Sequence, residues 1–325
     1  MNNILAGLRI VEGSAFVAAP SAGMTLAQLG ADVIRFDIIG GGIDYRRWPL
    51  TREGKSLYWA GLNKGKRSIA VDFREPEGRE LLAGLIARPG RDGGIFLTNF
   101  PMKGWLAYES LKRRREDLIM LVMTGNPDGS SEVDYTVNCA TGLPMMTGPE
   151  EGGGPVNHVL PAWDLITGLT AATGLLAAER HRRETGEGQL IKLALSDVAF
   201  AAMGHLGFIG EFQVNGEERR GSGNDLYGAF GRDFPTKDGH RVMIVAVTRR
   251  QWRALVEVTG LEDAIRGIEA ERGLNFDEEG DRFLARKDLN RVIGKWCAER
   301  SLSDIQSDFE GSGACAGATT EAFRR

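Results

Sequence analysis

Residues 8–37, LRIVEGSAFVAAPSAGMTLAQLGADVIRFD, decide the fold. Residues 8–11 and 32–37 are short runs that carry Val and Ile, and residues 18–29 between them have the composition of a helix. Glycine and other small residues separate the three runs. A strand, a helix and a second strand in this order predict a βαβ unit with parallel strands.

The same alternation continues through the first half of the chain. We predict strands at residues 68–72, 95–98, 118–124 and 189–195, and a helix at residues 76–87 that begins with proline. Strands that alternate with helices are typical of an α/β fold. The sequence therefore predicts a Rossmann-like, doubly wound parallel sheet.

The second half of the chain predicts a smaller α/β domain. Residues 242–247 have the pattern of a strand, residues 251–259 that of a helix, and residues 277–309 are charged and helical. The 325 residues are about twice the length of a typical single domain. We expect a large domain over 1–195, followed by a linker and the smaller domain over 196–325, with residues after 309 loosely structured.

Composition excludes several classes of function. The net charge of -4 provides no basic surface for nucleic acid, and no apolar run reaches the ~18 residues that span a bilayer. Three widely spaced cysteines, without C-x-x-C spacing, fit a reducing compartment. We expect a soluble cytoplasmic protein with neither nucleic acid nor membrane as a partner.

The common catalytic motifs are absent from the sequence. No strict G-x-G-x-x-G supports a dinucleotide, so Asp37 is interpreted as a charge at a strand end. There is no G-x-S-x-G and no H-E-x-x-H. The four histidines, which show no metal-ligand spacing, are expected at the surface or in packed positions: His158, His181, His205 and His240. No metal site is predicted.

One carboxylate and two basic segments remain as candidates. Asp164 lies at the start of a long helix predicted over residues 165–184, where it could cap the helix or act chemically. The basic run at residues 64–67 could be a solvated turn or an anion-binding rim. The long aromatic and basic loop at residues 40–66 is a candidate lid or substrate wall.

Five stretches in this order resemble the class III CoA-transferases. They are LAGLRIVE (5–12), LGADVIR (29–35), NKGKRS (63–68), TNF (98–100) and RETGEGQ (183–189). The resemblance implies an acyl-CoA substrate, with coenzyme A as part of that substrate and no separate cofactor. It also implies an interlocked homodimer, in which the site lies between the large domain of one chain and the small domain of the other.

Four further stretches resemble a narrower branch of the family, in which CoA moves from one carboxyl of mesaconate to the other. They are GGIDYRRWP (41–49), YWAGLN (58–63), DYTVN (134–138) and YGAFGRDF (227–234). The reaction implied is an isomerisation by intramolecular CoA transfer, within an autotrophic carbon-fixation route.

The resemblance also assigns roles to single residues. It makes Asp164 the nucleophile, whose carboxylate attacks a thioester and then carries CoA as an aspartyl thioester. The CoA contacts that it implies are Phe16, Val17, Ala18, Asn63, Lys64, Lys66, Arg67, Asn99 and Phe100. The substrate contacts are Arg46, Arg47, Tyr135 and Asn138. We hypothesise that Arg47 or Arg46 binds the free carboxylate; the alternative is a surface arginine with no contact to the substrate. Relatives often carry a basic residue where this chain has Ile38 and Ile39, so part of the phosphate binding must come from elsewhere.

Three alternatives stay open at this point. A racemase pairs the aspartate with a histidine, but residues 132–135 contain none, which disfavours it. An intermolecular CoA-transferase would use a second acid. The chain could also be a shortened, inactive homologue, because residues after 309 do not resemble the family and its C-terminal return segment is expected to be missing.

Overall fold

The computed structural model describes residues 3–319, and the chain divides into two compact units. The first unit is Met1–Pro144 with Asn157–Glu218, and the second is Met145–Val156 with Arg219–Arg325. The strands are β1 Arg9–Gly13, β2 Asp32–Asp37, β3 Arg67–Ala70, β4 Ile95–Thr98, β5 Ile119–Thr124, β6 Leu190–Ala194, β7 Phe230–Pro235, β8 Arg241–Ala246 and β9 Cys315–Thr319.

Helices follow most of the strands. They are α1 Ala18–Gln28, α2 Leu57–Leu62, α3 Pro76–Ile86, α4 Tyr108–Lys112, α5 Asp134–Ala140, α6 Leu143–Thr147, α7 Ala162–Thr185, α8 Leu195–His205, α9 Phe208–Asn215, α10 Arg249–Thr259, α11 Glu262–Arg272, α12 Glu279–Leu284, α13 Arg286–Ala298 and α14 Leu302–Phe309. Across residues 3–319, no helix combines the length and apolarity that crossing a membrane requires.

The first unit is built on a six-stranded parallel sheet in the order β3-β2-β1-β4-β5-β6. This is the strand order of a Rossmann fold, with the order reversing between β1 and β4. The predicted α/β class and doubly wound sheet are confirmed. The interlocked dimer stays a prediction.

Both faces of this sheet are covered, which explains why its central strands are apolar on both sides. Ile10 and Leu121 face a core that α1 and α7 complete, for example with Leu26. Their sequence neighbours Val11 and Val122 face the opposite core, on the side of α3. The alternation along β1 and β5 therefore fixes the two helical layers.

Helices α8 and α9 are separate because Gly207 between them takes a left-handed φ of +80°. The start of α7 differs from the prediction. Helix α7 begins at Ala162 rather than at residue 165, which places Asp164 inside its first turn. Because α8 packs on α5 and α7, the first unit continues to Glu218 instead of ending at residue 195.

The second unit has an antiparallel sheet in the order β7-β8-β9. Phe230, Val242, Trp252, Leu289 and Trp296 are among the residues that build its core. The expectation of a loose segment after residue 309 is wrong for Cys315–Thr319, because β9 pairs along β8 from Val245 to Arg241. Residues 320–325 lie outside the described part of the chain.

Candidate active site

Asp164 lies in the first turn of α7 but does not cap it. The capping position is Pro161, which has no side-chain hydrogen bond to offer, and Asp164 is the third residue of the helix. The capping alternative for Asp164 is therefore wrong. Among residues 3–319, no hydrogen-bond donor reaches the half-buried Asp164 carboxylate, so both of its oxygens are available to a substrate.

Asp134, the first residue of α5, supplies the side-chain acceptor that Pro161 lacks for the backbone N–H groups at the start of α7. Its side chain is 3% exposed. Oδ2 accepts the backbone N–H of Asp164 at 3.0 Å, and Oδ1 lies 2.9 Å from Nε2 of His158. The first turn of a helix leaves backbone N–H groups without partners, and one of these is satisfied here by a residue thirty positions away.

The surroundings of Asp164 make it an unusually basic carboxyl group. Burial raises the pKa of Asp164 to about 7, the negative charge of Asp134 adds to that increase, and the positive charge of Arg47 opposes it. An aspartate with its pKa near neutrality is typical of a functional carboxylate rather than of a surface charge.

Arg47 comes from the long loop between β2 and α2. Its guanidinium stands over two aromatic rings, 5.5 Å from the ring centre of Phe16 and 5.3 Å from that of Tyr58. Burial raises the pKa of Tyr58 to about 12, so its phenol is neutral at physiological pH. Arg46 is exposed. Of the two candidate arginines, the structure brings Arg47 to Asp164.

The first βα turn is held in a strained conformation next to this arginine. Phe16 has a left-handed φ of +67°, which costs a residue with a side chain about 1–3 kcal/mol. Its N–H donates to Asp44 Oδ2 at 2.8 Å. Ala15, the residue before Phe16, forms two hydrogen bonds with the Asn99 side chain. Asn99 Nδ2 donates to the Ala15 carbonyl at 2.8 Å, and Asn99 Oδ1 accepts the Ala15 N–H at 3.0 Å.

Below the turn lies a buried ionic cluster centred on Arg35, which is 0% exposed. Arg35 pairs with Asp37 at 2.8 Å and with Asp44 at 3.2 Å. Asp37 is thus a member of a buried ion pair and not simply a charge at a strand end. Charges removed from water require such partners, because an isolated one is very costly to bury.

Lys66 and Asn63, two of the predicted CoA contacts, belong to this cluster. The Lys66 ammonium donates to Glu12 Oε1, to the Pro20 carbonyl and to Asn63 Oδ1, each at 2.8 Å. Its side chain is 1% exposed, so the structure does not present Lys66 to a ligand. Instead, this lysine fastens the segment before β3 to β1 and α1.

The remaining predicted CoA contacts lie at two different edges of the sheet, because three of them follow the carboxyl ends of β1 and β4, whereas Arg67 begins β3. Val17 and Ala18 are buried at the start of α1, and Phe100 packs edge-on against Phe36. Lys64 is exposed, and Arg67 forms an exposed ion pair with Asp32 at 2.7 Å.

The two other predicted substrate contacts take different positions. Tyr135 is 39% exposed, and its hydroxyl donates to the carbonyl of Val159 at 3.3 Å. Asn138 is 1% exposed and joins α5 to α7, because its carbonyl accepts the indole N–H of Trp163 at 3.0 Å. Tyr135 is accessible to a ligand, whereas Asn138 is committed to the protein interior.

Sequence reasoning misses the roles of Asp134, His158, Tyr58 and Asp44. The sequence predicts His158 at the surface or in a packed position, and the structure pairs it with Asp134. A histidine therefore does lie near the candidate nucleophile, although residues 132–135 contain none. Within the part of the chain that the structure describes, no group of three or more His, Cys, Asp and Glu side chains is placed to hold a metal.

Comparison with known proteins identifies the family to which the chain is similar. Residues 5–322 match the family model described as CoA-transferase family III, so the similarity continues past residue 309, contrary to expectation. The chain is 62% identical to 2-methylfumaryl-CoA isomerase of Chloroflexus aurantiacus, over 95% of this chain and 76% of that protein. It is 29% identical to succinyl-CoA:mesaconate CoA-transferase of Haloarcula hispanica, over 94% and 77%. A crystal structure of a CAIB/BAIF family protein from Brucella suis matches with a TM-score of 0.80 and 27% identity, over 99% of this chain and 85% of that one.

Proposed function

The chain belongs to CoA-transferase family III, and on this premise we propose that it isomerises 2-methylfumaryl-CoA to 3-methylfumaryl-CoA. CoA moves between the two carboxyl groups of one mesaconyl unit. The observation that carries the proposal is a carboxylate with raised pKa beside a single arginine, in a chain 62% identical to a 2-methylfumaryl-CoA isomerase.

Asp164 does the chemistry in four balanced steps. Its carboxylate attacks the thioester carbonyl, the C–S bond breaks, and CoA leaves as a thiolate from a mixed anhydride. The thiolate then attacks the Asp164 carbonyl of that anhydride, which releases mesaconate and leaves an aspartyl-CoA thioester. The other carboxylate of mesaconate attacks this thioester, the C–S bond breaks, and CoA thiolate leaves from a second mixed anhydride. The thiolate finally attacks the mesaconyl carbonyl of that anhydride, which forms the product thioester and releases the Asp164 carboxylate.

The intramolecular outcome depends on retaining the free diacid between the second and third steps. Arg47 serves this purpose, because a guanidinium matches the geometry of a carboxylate and lies between the Phe16 and Tyr58 rings. The two rings hold the guanidinium in place through cation–π contacts. We assign Arg47 to the free carboxylate and Arg46 to no direct contact.

We also propose the assembly and setting that the family resemblance implies. Two chains form an interlocked homodimer in the cytoplasm, and CoA lies at the sheet edge that carries Phe16, Asn99 and Phe100. Exposed apolar side chains on α7 to α9, including Leu169, Phe200 and Phe212, are consistent with a covered face. Sedimentation of the purified chain at micromolar concentration tests this, because a monomer would contradict it.

The proposed reaction is tested with 2-methylfumaryl-CoA and an excess of free ¹³C-labelled mesaconate. We expect 3-methylfumaryl-CoA without label, separated by chromatography and identified by mass spectrometry. Label in the product would replace the proposal by intermolecular transfer, and no new thioester at all would mean that the chain does not catalyse the reaction. Treating trapped enzyme with hydroxylamine should leave a hydroxamate on Asp164, which locates the covalent step.

A further inference from the structure

His158 occupies a position for which the proposed reaction gives no reason. It lies in the segment before α7, and its backbone N–H donates to Asn157 Oδ1 at 3.0 Å. Its ring lies 6.0 Å from that of Tyr135 and 6.3 Å from that of Trp163, centre to centre. Aromatic neighbours on two sides fix the direction in which Nε2 points, which is toward Asp134.

Asp134 links this histidine to the nucleophile through its two oxygens. Oδ1 is held by His158 at 2.9 Å, and Oδ2 holds the Asp164 N–H at 3.0 Å. A carboxylate that is 3% exposed needs both partners, since an unbalanced buried charge is strongly unfavourable. Movement of the histidine would therefore change the position or the charge of Asp134, and with it the first turn of α7.

Resting on the proposed function, we propose that His158 is a positioning residue for Asp164 and acts through Asp134. It orients the Asp134 carboxylate onto the Asp164 amide, because its Nε2 holds the Oδ1 oxygen while Oδ2 accepts the Asp164 N–H. Two neighbouring carboxylates disfavour each other's ionisation, so the direction in which Asp134 is held sets how strongly its charge acts on Asp164. During the cycle Asp164 alternates between an anion and a neutral acyl group, so this influence matters at the start and at the end of each turnover.

The other charges around the site do not perform this task. Arg47 reaches Asp164 from the loop before α2 and is assigned to the substrate, and the phenol of Tyr58 on α2 is neutral at physiological pH. On the α5 side, Glu132 is the further acid, and it is hydrogen-bonded to the hydroxyl of Thr136. His158 is therefore the group placed to hold Asp134.

The experiment uses three variants of the full-length chain. His158→Phe keeps an aromatic ring and removes the donor. His158→Gln keeps a neutral donor for Asp134, and Asp134→Asn keeps a carbonyl acceptor for the Asp164 N–H while removing the negative charge. The matched control is His181→Phe near the other end of α7, where the histidine is 4.0 Å from exposed Glu187.

Two readouts separate this inference from the proposed function. The first is the pKa of Asp164 in the free protein, from ¹³C NMR of carboxyl-labelled aspartate with the signal assigned by its loss in Asp164→Asn. We expect His158→Phe, which leaves Asp134 without this donor, to raise it by about 1 unit, His158→Gln to leave it near that of the parent chain, and Asp134→Asn to lower it by about 1 unit. The second is the pH profile of kcat/KM for isomerisation, whose acid limb should shift in the same directions.

The NMR titration tests the role of His158 even if the proposed reaction is wrong, because it needs no turnover. An unchanged Asp164 pKa in His158→Phe would overturn that role. The same would follow if His181→Phe shifted the pKa equally. If His158→Phe does not fold, the titration of His158→Ala, which also removes the donor, replaces it, and the melting temperature of His158→Gln should stay close to that of the parent chain.

Discussion

The backbone N–H of Phe16 donates to Asp44 Oδ2 at 2.8 Å, which ties the strained first βα turn to the long loop that carries Arg47. The other Asp44 oxygen accepts from Arg35 at 3.2 Å. One buried carboxylate thus connects three segments: the first turn, strand β2 and the loop. Because Arg47 lies over the Phe16 ring, the position of the guanidinium that we assign to the substrate carboxylate depends on this connection.

Removing this carboxylate should damage both stability and activity. We expect Asp44→Ala to lower the free energy of unfolding by about 3 kcal/mol, because it leaves a buried arginine short of a partner. Its kcat/KM should fall as well, and Asp44→Asn, which still accepts the Phe16 N–H, should retain more activity. Urea unfolding and steady-state kinetics measure the two effects. Asp72→Ala removes an exposed ion pair with Arg74 and should change little; an equal loss there would argue against the connection.

Gly23 in α1 makes room for a charged residue of the cluster. A Cβ built on it would lie 1.7 Å from Glu12 Oε2, and Glu12 is itself 0% exposed. Since Glu12 is fixed by Lys66, we expect Gly23→Ala to destabilise the protein by about 2 kcal/mol, in the range of an overpacked core.

Gly84 in α3 provides the matched comparison. A Cβ there would meet nothing within 4 Å, and the residue is exposed. Gly84→Ala should therefore stabilise the protein by about 1 kcal/mol through helix propensity alone. Melting curves of the two variants should move in opposite directions, and a stabilised Gly23→Ala would show that Glu12 has space to move.

The sheet can be predicted because its strands are short apolar runs with glycine or small residues around them. The central strands β4 and β5 are buried on both faces, so their residues are apolar at nearly every position. Strand β9, CAGAT, has little β-propensity of its own and exists by pairing with β8, so no local pattern predicts it. Helix α5 is also short and follows a stretch rich in turn-forming residues.

The candidate site is predictable only in part for a related reason. Asp164 stands out because a long helix begins beside it, but nothing in the spacing brings His158 to Asp134, which is 24 positions away. Lys66 belongs to a basic run whose composition favours exposure, and its burial depends on Glu12, 54 positions earlier. Pairs so distant in sequence meet only because the loops bring them together in the fold. The periodicity of apolar residues does not predict the paths of those loops.

The two neighbouring arginines should differ sharply in the enzyme assay. Arg47→Ala should lower kcat/KM for 2-methylfumaryl-CoA by about ten- to a hundredfold, the range for losing a hydrogen bond to a charged group. It should also release free mesaconate, because the diacid is no longer retained. Arg46→Ala is the control and should behave as the parent chain. Equal losses in both variants, or none in Arg47→Ala, would remove the assignment of Arg47.

The raised pKa of Asp164 sets the pH dependence of the reaction. With a pKa of about 7, the carboxylate fraction falls about tenfold per pH unit well below neutrality. kcat/KM should follow the same slope, with a plateau above pH 8. A flat profile between pH 5 and 8 would contradict a nucleophile with this pKa.

The same shift predicts that Asp164 destabilises the folded protein. An acid whose folded pKa exceeds its unfolded value of 3.8 holds its proton longer when folded, so stability falls as the pH rises from about 4 to about 7. Asp164→Asn should remove this penalty. We expect the variant to lack isomerase activity and yet be more stable than the parent at pH 8, by at most about 4 kcal/mol, with the difference vanishing near pH 4.

Denaturant unfolding of both proteins between pH 4 and pH 8 measures this difference in stability, and Asp197→Asn, at an exposed position of α8, is the control. Equal stability of Asp164→Asn and the parent at pH 8 would mean that the carboxylate is better solvated than its burial implies, and the source of its basicity would have to be sought in the bound substrate.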